Sequence, residues 1–94
     1  MLFLATYKVP LEQMETAMAK RLEWANVEPD GFRVLCEYAI HGKPAPFGGF
    51  MVFETDDVAH LNLLIMYYGS TVEMDIRPCS DVLEAIGMTR SNLK

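Results

Sequence analysis

The 94-residue sequence predicts an α+β domain, a four-stranded antiparallel sheet in the order 4-1-3-2 with two long helices on one face and a short helix after the last strand. Three observations carry that prediction. Runs rich in β-forming residues occupy 2–9, 31–41, 50–54 and 70–77. Two apolar-periodic runs, one from Leu11 and one from Val58, each fall between two of those strands. No linker, low-complexity stretch or close repeat divides residues 1–94, so one domain is expected.

The elements follow in order. Residues 2–9, LFLATYKV, read as a strand, and Pro10 then offers a preset first-turn helical angle without wasting a donor. Leu11, Met14, Met18 and Leu22 recur at spacings of three and four, with Glu12, Glu15, Lys20 and Glu23 off that line, so this stripe is expected to face the core. The helix should end between Asn26 and Gly31. GFRVLCEYAIH and FMVFE read as a hairpin joined by the loop segment GKPAPFGG. In the stretch GGFMVFETDDVAH, Thr55 stands where the third strand becomes the second helix. Its hydroxyl is expected to cap free amides, with Asp56 and Asp57 at the positive end of the helix dipole. Val58, Leu61, Leu64, Ile65 and Tyr68 mark the apolar face of that helix, and Gly69 closes it. STVEMDIR alternates as a strand until Pro78, and Asp81 with Glu84 caps a short third helix ended at Gly87.

The order β-α-β, β-α-β is that of ferredoxin-like folds. Alternation then sorts each strand into two faces. Under the helices it places Phe32, Val34, Cys36, Tyr38 and Ile40, together with Val72, Met74 and Ile76. The open face receives Leu2, Leu4, Thr6 and Lys8; Arg33, Leu35, Glu37, Ala39 and His41; Phe50, Val52 and Glu54; and Thr71, Glu73, Asp75 and Arg77. An apolar middle rimmed by charge marks an interface or a ligand site. Lys8, Arg33, Leu35, Phe50 and Arg77 are the ligand-binding residues expected there.

Composition narrows the function classes. A net charge of −5 with a single basic pair, Lys20-Arg21, offers no cationic stripe for a phosphate backbone, so nucleic acid is not an expected partner. MLFLATYKVP lacks the pattern of a signal peptide and LNLLIMYY is too short to span a bilayer, which points to a cytoplasmic protein without a membrane partner. Cys36 and Cys79 fit no zinc or C-x-x-C spacing; Cys36 is expected as a small buried hydrophobe and Cys79 in a turn.

No nucleophile-elbow, zincin, dinucleotide or phosphate-loop pattern is present, and no cofactor is implied. Asp56 and His60 lie four apart on one helical face, as two metal ligands could, but a helix cap explains the acidic cluster without a metal. His41, at the other end of the sheet from His60, joins Glu37, Glu73 and Tyr7 as candidates for proton transfer in a largely apolar site.

From MLFLATYKVP through FMVFETDD to VEMDIRPCSD, the chain resembles the dimeric α/β barrel superfamily, and within it a small bacterial and archaeal family of unknown function. That resemblance implies two ferredoxin-like sheets packed face to face in a homodimer. The chain departs from the pattern in carrying Tyr67 and Tyr68 where tryptophan is frequent. The superfamily includes cofactor-free monooxygenases, lactone isomerases, haem enzymes and ligand-sensing domains. With members so varied, the resemblance implies no one reaction; the charges around an apolar centre on the open sheet face lead to the expected function, binding of a small apolar or aromatic molecule there. The alternatives are a cofactor-free monooxygenase- or isomerase-like enzyme, and a structural or regulatory oligomer with a filled barrel.

Overall fold

The computed structural model describes residues 1–41 and 47–92. Residues 42–46, most of the expected hairpin loop, and residues 93–94 lie outside the described residues. The chain runs through β1 (Leu2–Lys8), α1 (Met14–Val27), β2 (Arg33–Ile40), β3 (Gly48–Glu54), α2 (Ala59–Tyr68), β4 (Glu73–Cys79) and α3 (Val82–Asn92). The sheet order is β2-β3-β1-β4, antiparallel throughout, as expected for a ferredoxin-like fold. Among the described residues no helix is long and apolar enough to cross a membrane.

Local chemistry sets the element ends. Pro10 accepts from the Gln13 amide at 2.9 Å, so a single tight turn at Leu11–Gln13 precedes α1. Gly69, at φ +55°, takes a positive-φ conformation that glycine adopts freely and closes α2 at its expected place, its amide donating to the Ile65 carbonyl. Asp81 Oδ2 accepts from the amides of Leu83 and Glu84 at 3.0 and 3.2 Å and caps α3 as expected. That helix does not end at Gly87 but continues to Asn92, where Ser91 and Asn92 side chains donate to the Gly87 and Met88 carbonyls. β4 likewise passes the expected stop, because it is an edge strand where Pro78 can sit opposite Phe3 without breaking an inner ladder. Cys79 is therefore a strand residue rather than a turn residue, and both cysteines are free.

One extra residue in β2 alters the expected faces. Val34 pairs with Phe53 but Cys36 pairs with Val52, which leaves Leu35 as a β-bulge. From Cys36 onward the alternation is inverted. Glu37 pairs with Met51 and turns under the helices, whereas Tyr38 and Ile40 pair with Phe50 and Gly48 on the open face. The Tyr38 and Phe50 rings lie 5.7 Å apart, and Tyr38 and Ile40 are exposed. The expectation that Cys36, Tyr38 and Ile40 lie under the helices, with Glu37 outside, is thus corrected.

The core is aromatic. Phe3 stacks on Phe53 at 5.5 Å, Phe53 on Phe32 at 4.7 Å, and Trp24 meets Phe32 and Tyr67 at 5.3 Å each, joining the sheet to both helices. Complete burial of Phe53 and Leu64 stabilises the fold by about 1.5 to 3 kcal/mol each. The buried side of α1 is Met14, Ala17, Arg21 and Trp24; of the expected stripe Met14 packs on the core, while Leu11 and Leu22 are 67% and 79% exposed and Met18 is half exposed. On α2, Leu61, Leu64 and Tyr68 pack inward as expected while Val58 and Ile65 do not. Thr71, expected on the open face, is buried in the turn before β4.

Candidate functional site

The inverted half of β2 builds the site. Glu37 enters the space between sheet and α1, where Arg21 reaches it from the helix. The Arg21 Nε donates to Glu37 Oε1 at 2.7 Å, and a terminal guanidinium nitrogen lies 2.6 Å from the same oxygen. Arg21 can occupy the sheet-facing side because its aliphatic stem packs among apolar side chains while the guanidinium meets a carboxylate. This pairing holds the arginine firmly charged.

Tyr7 approaches from β1, with its hydroxyl 3.4 Å from Glu37 Oε2. Its cross-strand partner is Gly49, where a Cβ would come within 2.8 Å of the tyrosine hydroxyl and closer still to the Tyr38 carbonyl oxygen. Of the two readings of Gly48-Gly49, loop or strand start, the structure shows the strand, and at Gly49 the close approach leaves no room for a side chain. Burial, reinforced by the Glu37 charge, pushes the Tyr7 phenol up to about 12. Burial also pushes the nearby Tyr68 phenol up to about 12.

These groups form one wall of a cavity of about 290 Å³ between α1 and the sheet. The other walls are Val9, Met14, Ala17, Met18, Leu22, Phe47, Met51, Tyr68, Val72 and Met74. Of the proton-transfer candidates, the structure brings Tyr7 and Glu37 together at this cavity. Glu73 is exposed on β4 and His41 is exposed just beyond β2. The open-face set does not line the cavity. Arg33 pairs with Glu54 at 3.2 Å, Arg77 with Asp75 at 3.0 Å, Lys8 is exposed, and Leu35 and Phe50 sit on the bulge and on β3. Sequence reading missed Arg21, whose spacing from Met14, Ala17 and Trp24 (3, 4, 3) was the available signal.

The acidic stretch before α2 resolves into a turn. Thr55, 2% exposed, accepts from the Asp57 amide at 3.1 Å and lies 2.6 Å from His60 Nδ1. Asp57 Oδ1, rather than Thr55, accepts from the Ala59 amide at 2.9 Å at the start of the helix, and its other oxygen is 3.6 Å from His60 Nε2. Threonine, histidine and aspartate lie together here, but so deeply buried a hydroxyl meets no substrate. Asp56 instead pairs with the N-terminal amine at 2.8 Å, which holds its carboxyl below the ordinary range. Among the described residues no three of His, Cys, Asp and Glu gather as a metal site would require.

The chain belongs to the family described as a domain of unknown function (DUF3303), whose model matches residues 1–92. In fold it is similar to a solved protein of Deinococcus radiodurans provisionally assigned as an antibiotic biosynthesis monooxygenase. That likeness has 8% identity and a TM-score of 0.45 over 86% of this chain and 93% of the other. No curated protein matches the chain.

Proposed function

We propose that this family member binds a small, largely apolar molecule in the cavity between α1 and the sheet. One observation carries the reading: apolar walls line a partly open space of about 290 Å³, and the charged groups converge on a single side at Arg21 and Glu37. Ligand pockets have this composition, apolar with a few placed polar groups. A cavity of about 150 Å³ takes benzene, so a body of two fused rings suits the larger space. Four methionines, Met14, Met18, Met51 and Met74, give walls that adapt to an irregular ligand.

A homodimer through the open sheet face belongs to the same proposal. In the single chain Leu35, Tyr38 and Ile40 stand exposed on that side of the sheet, and α3 buries none of its side chains. Such a patch supports a second copy seated there, with Leu35 and Phe50 inside the contact and Lys8, Arg33 and Arg77 at its rim.

Equilibrium dialysis with naphthalene tests the binding reading. Wild type is expected to retain it, and Ala17→Phe, which fills the space from the buried side of α1, is expected to lose it while still unfolding in one cooperative melt at a lowered midpoint. Absence of binding to wild type overturns the proposal.

A second reading, a proton-transferring enzyme, is favoured by the Tyr7–Glu37 contact, since a phenol and a carboxylate at an apolar cavity can act as acid and base. Chemical change of a bound compound that disappears in Glu37→Gln, with binding retained, is its test.

A further inference from the structure

Given that the cavity binds an apolar molecule, on which all that follows rests, we infer that it selects neutral ligands carrying a hydroxyl donor, which the free acceptor capacity of Glu37 Oε2 recognises. A carboxylate can accept about four hydrogen bonds. In Glu37 the Arg21 guanidinium engages Oε1 through two nitrogens. Oε2 has the Tyr7 hydroxyl at 3.4 Å, well beyond the roughly 2.5 to 2.7 Å of a firm bond from a hydroxyl to a carboxylate. A ligand O–H therefore finds an acceptor only weakly occupied among the described residues, and its own oxygen can accept from the neighbouring Tyr7 hydroxyl.

Charge decides against ionised ligands. Arg21 and Glu37 already neutralise one another at this wall. Tyr7 and Tyr68 remain uncharged phenols at neutral pH. A ligand carboxylate is repelled by Glu37 unless it breaks the ion pair, and a ligand ammonium faces Arg21 in the same way. Either ion loses its hydration on entering an apolar space where, among the described lining residues, no uncompensated opposite charge replaces it.

The experiment is equilibrium dialysis of wild type and Glu37→Gln against naphthalene, 2-naphthol and 2-naphthoate at neutral pH. Wild type is expected to hold 2-naphthol about tenfold or more tighter than naphthalene, the gain typical of a hydrogen bond to a charged acceptor, and to hold 2-naphthoate more weakly than either. Glu37→Gln should lower the naphthol-to-naphthalene ratio severalfold, toward the roughly fivefold of a neutral hydrogen bond, while naphthalene binding persists. Equal binding of naphthalene and 2-naphthol to wild type, tighter binding of 2-naphthoate, or an unchanged ratio in a folded Glu37→Gln overturns the inference and leaves the apolar cavity standing. Should the variant not fold, the wild-type series decides alone. No binding of any of the three removes the cavity reading and this inference together.

Discussion

Lys20 and Tyr67 exchange hydrogen bonds between the two long helices. The Lys20 ammonium donates to the Tyr67 carbonyl at 2.9 Å, and the Tyr67 hydroxyl donates to the Lys20 carbonyl at 2.6 Å. The ammonium also lies 4.9 Å from the centre of the tyrosine ring. Because α1 forms the roof of the cavity, this reciprocal pair fixes how far the roof stands from α2. Tyr67→Phe keeps the ring and removes one bond, so it should cost about 0.5 to 1.5 kcal/mol. The shift of the urea midpoint at constant slope measures it.

Thr55 offers a second test of a buried polar group. Thr55→Val preserves shape but leaves the Asp57 amide and His60 Nδ1 without their partner, which should cost about 1 to 3 kcal/mol. Thr55→Ser should recover most of that loss in the same thermal melts. An unchanged melting temperature for the valine variant would show that the hydroxyl is not what holds the turn.

Gly49→Ala sets a side chain against the Tyr7 hydroxyl and the Tyr38 carbonyl, one of them backbone that cannot step aside. Overpacking of this kind costs about 1 to 3 kcal/mol. Calorimetry should register the loss, and naphthalene affinity should fall with it because Tyr7 is displaced from the cavity wall.

Stability should decline at high pH. The Tyr7 and Tyr68 phenols ionise near 10 when unfolded and are pushed up to about 12 in the folded chain by burial. Between those values the unfolded chain has released protons that the folded chain still binds, so rising pH favours unfolding. Stability is expected to be level with respect to these groups below about pH 10 and to fall from there toward 12. Phenolate absorbance during the titration checks the sign: in Tyr68→Phe the step near pH 12 should shrink, while its persistence at full height would place the late-titrating phenol elsewhere.

Sedimentation of the wild type at micromolar concentration is expected to give twice the 10.6 kDa chain mass. Phe50→Asp, which sets a carboxylate into the middle of the open face, should halve it. A wild-type monomer would remove the homodimer without touching the cavity, which lies within one chain.

What the sequence by itself determined is the order of the elements and most of their faces. Alternation in β1, β3 and β4 placed Phe3, Ala5, Met51, Phe53 and Met74 inward and Thr6, Lys8, Glu73 and Asp75 outward, because in a regular strand parity alone decides the face. Gly69 and Asp81 marked helix ends through their own local chemistry, which needs no distant partner. The cavity wall was not legible in that way. Tyr7 and Glu37 were both named as candidates, yet parity put Glu37 on the opposite face, since a count by twos cannot register the extra residue at Leu35. Whether β2 bulges depends on a trade among partners 16 and 30 residues away in sequence and on the neighbouring strand: Glu37 gains Arg21 and Tyr7 under the helices, while Tyr38 gains Phe50 outside. Likewise the stripe read on α1 took in Leu11, Met18 and Leu22 beside Met14, and only the carboxylate waiting on β2 makes an arginine the better residue to turn inward. Tertiary structure decided the site because each of its groups is placed by a partner on another strand or helix.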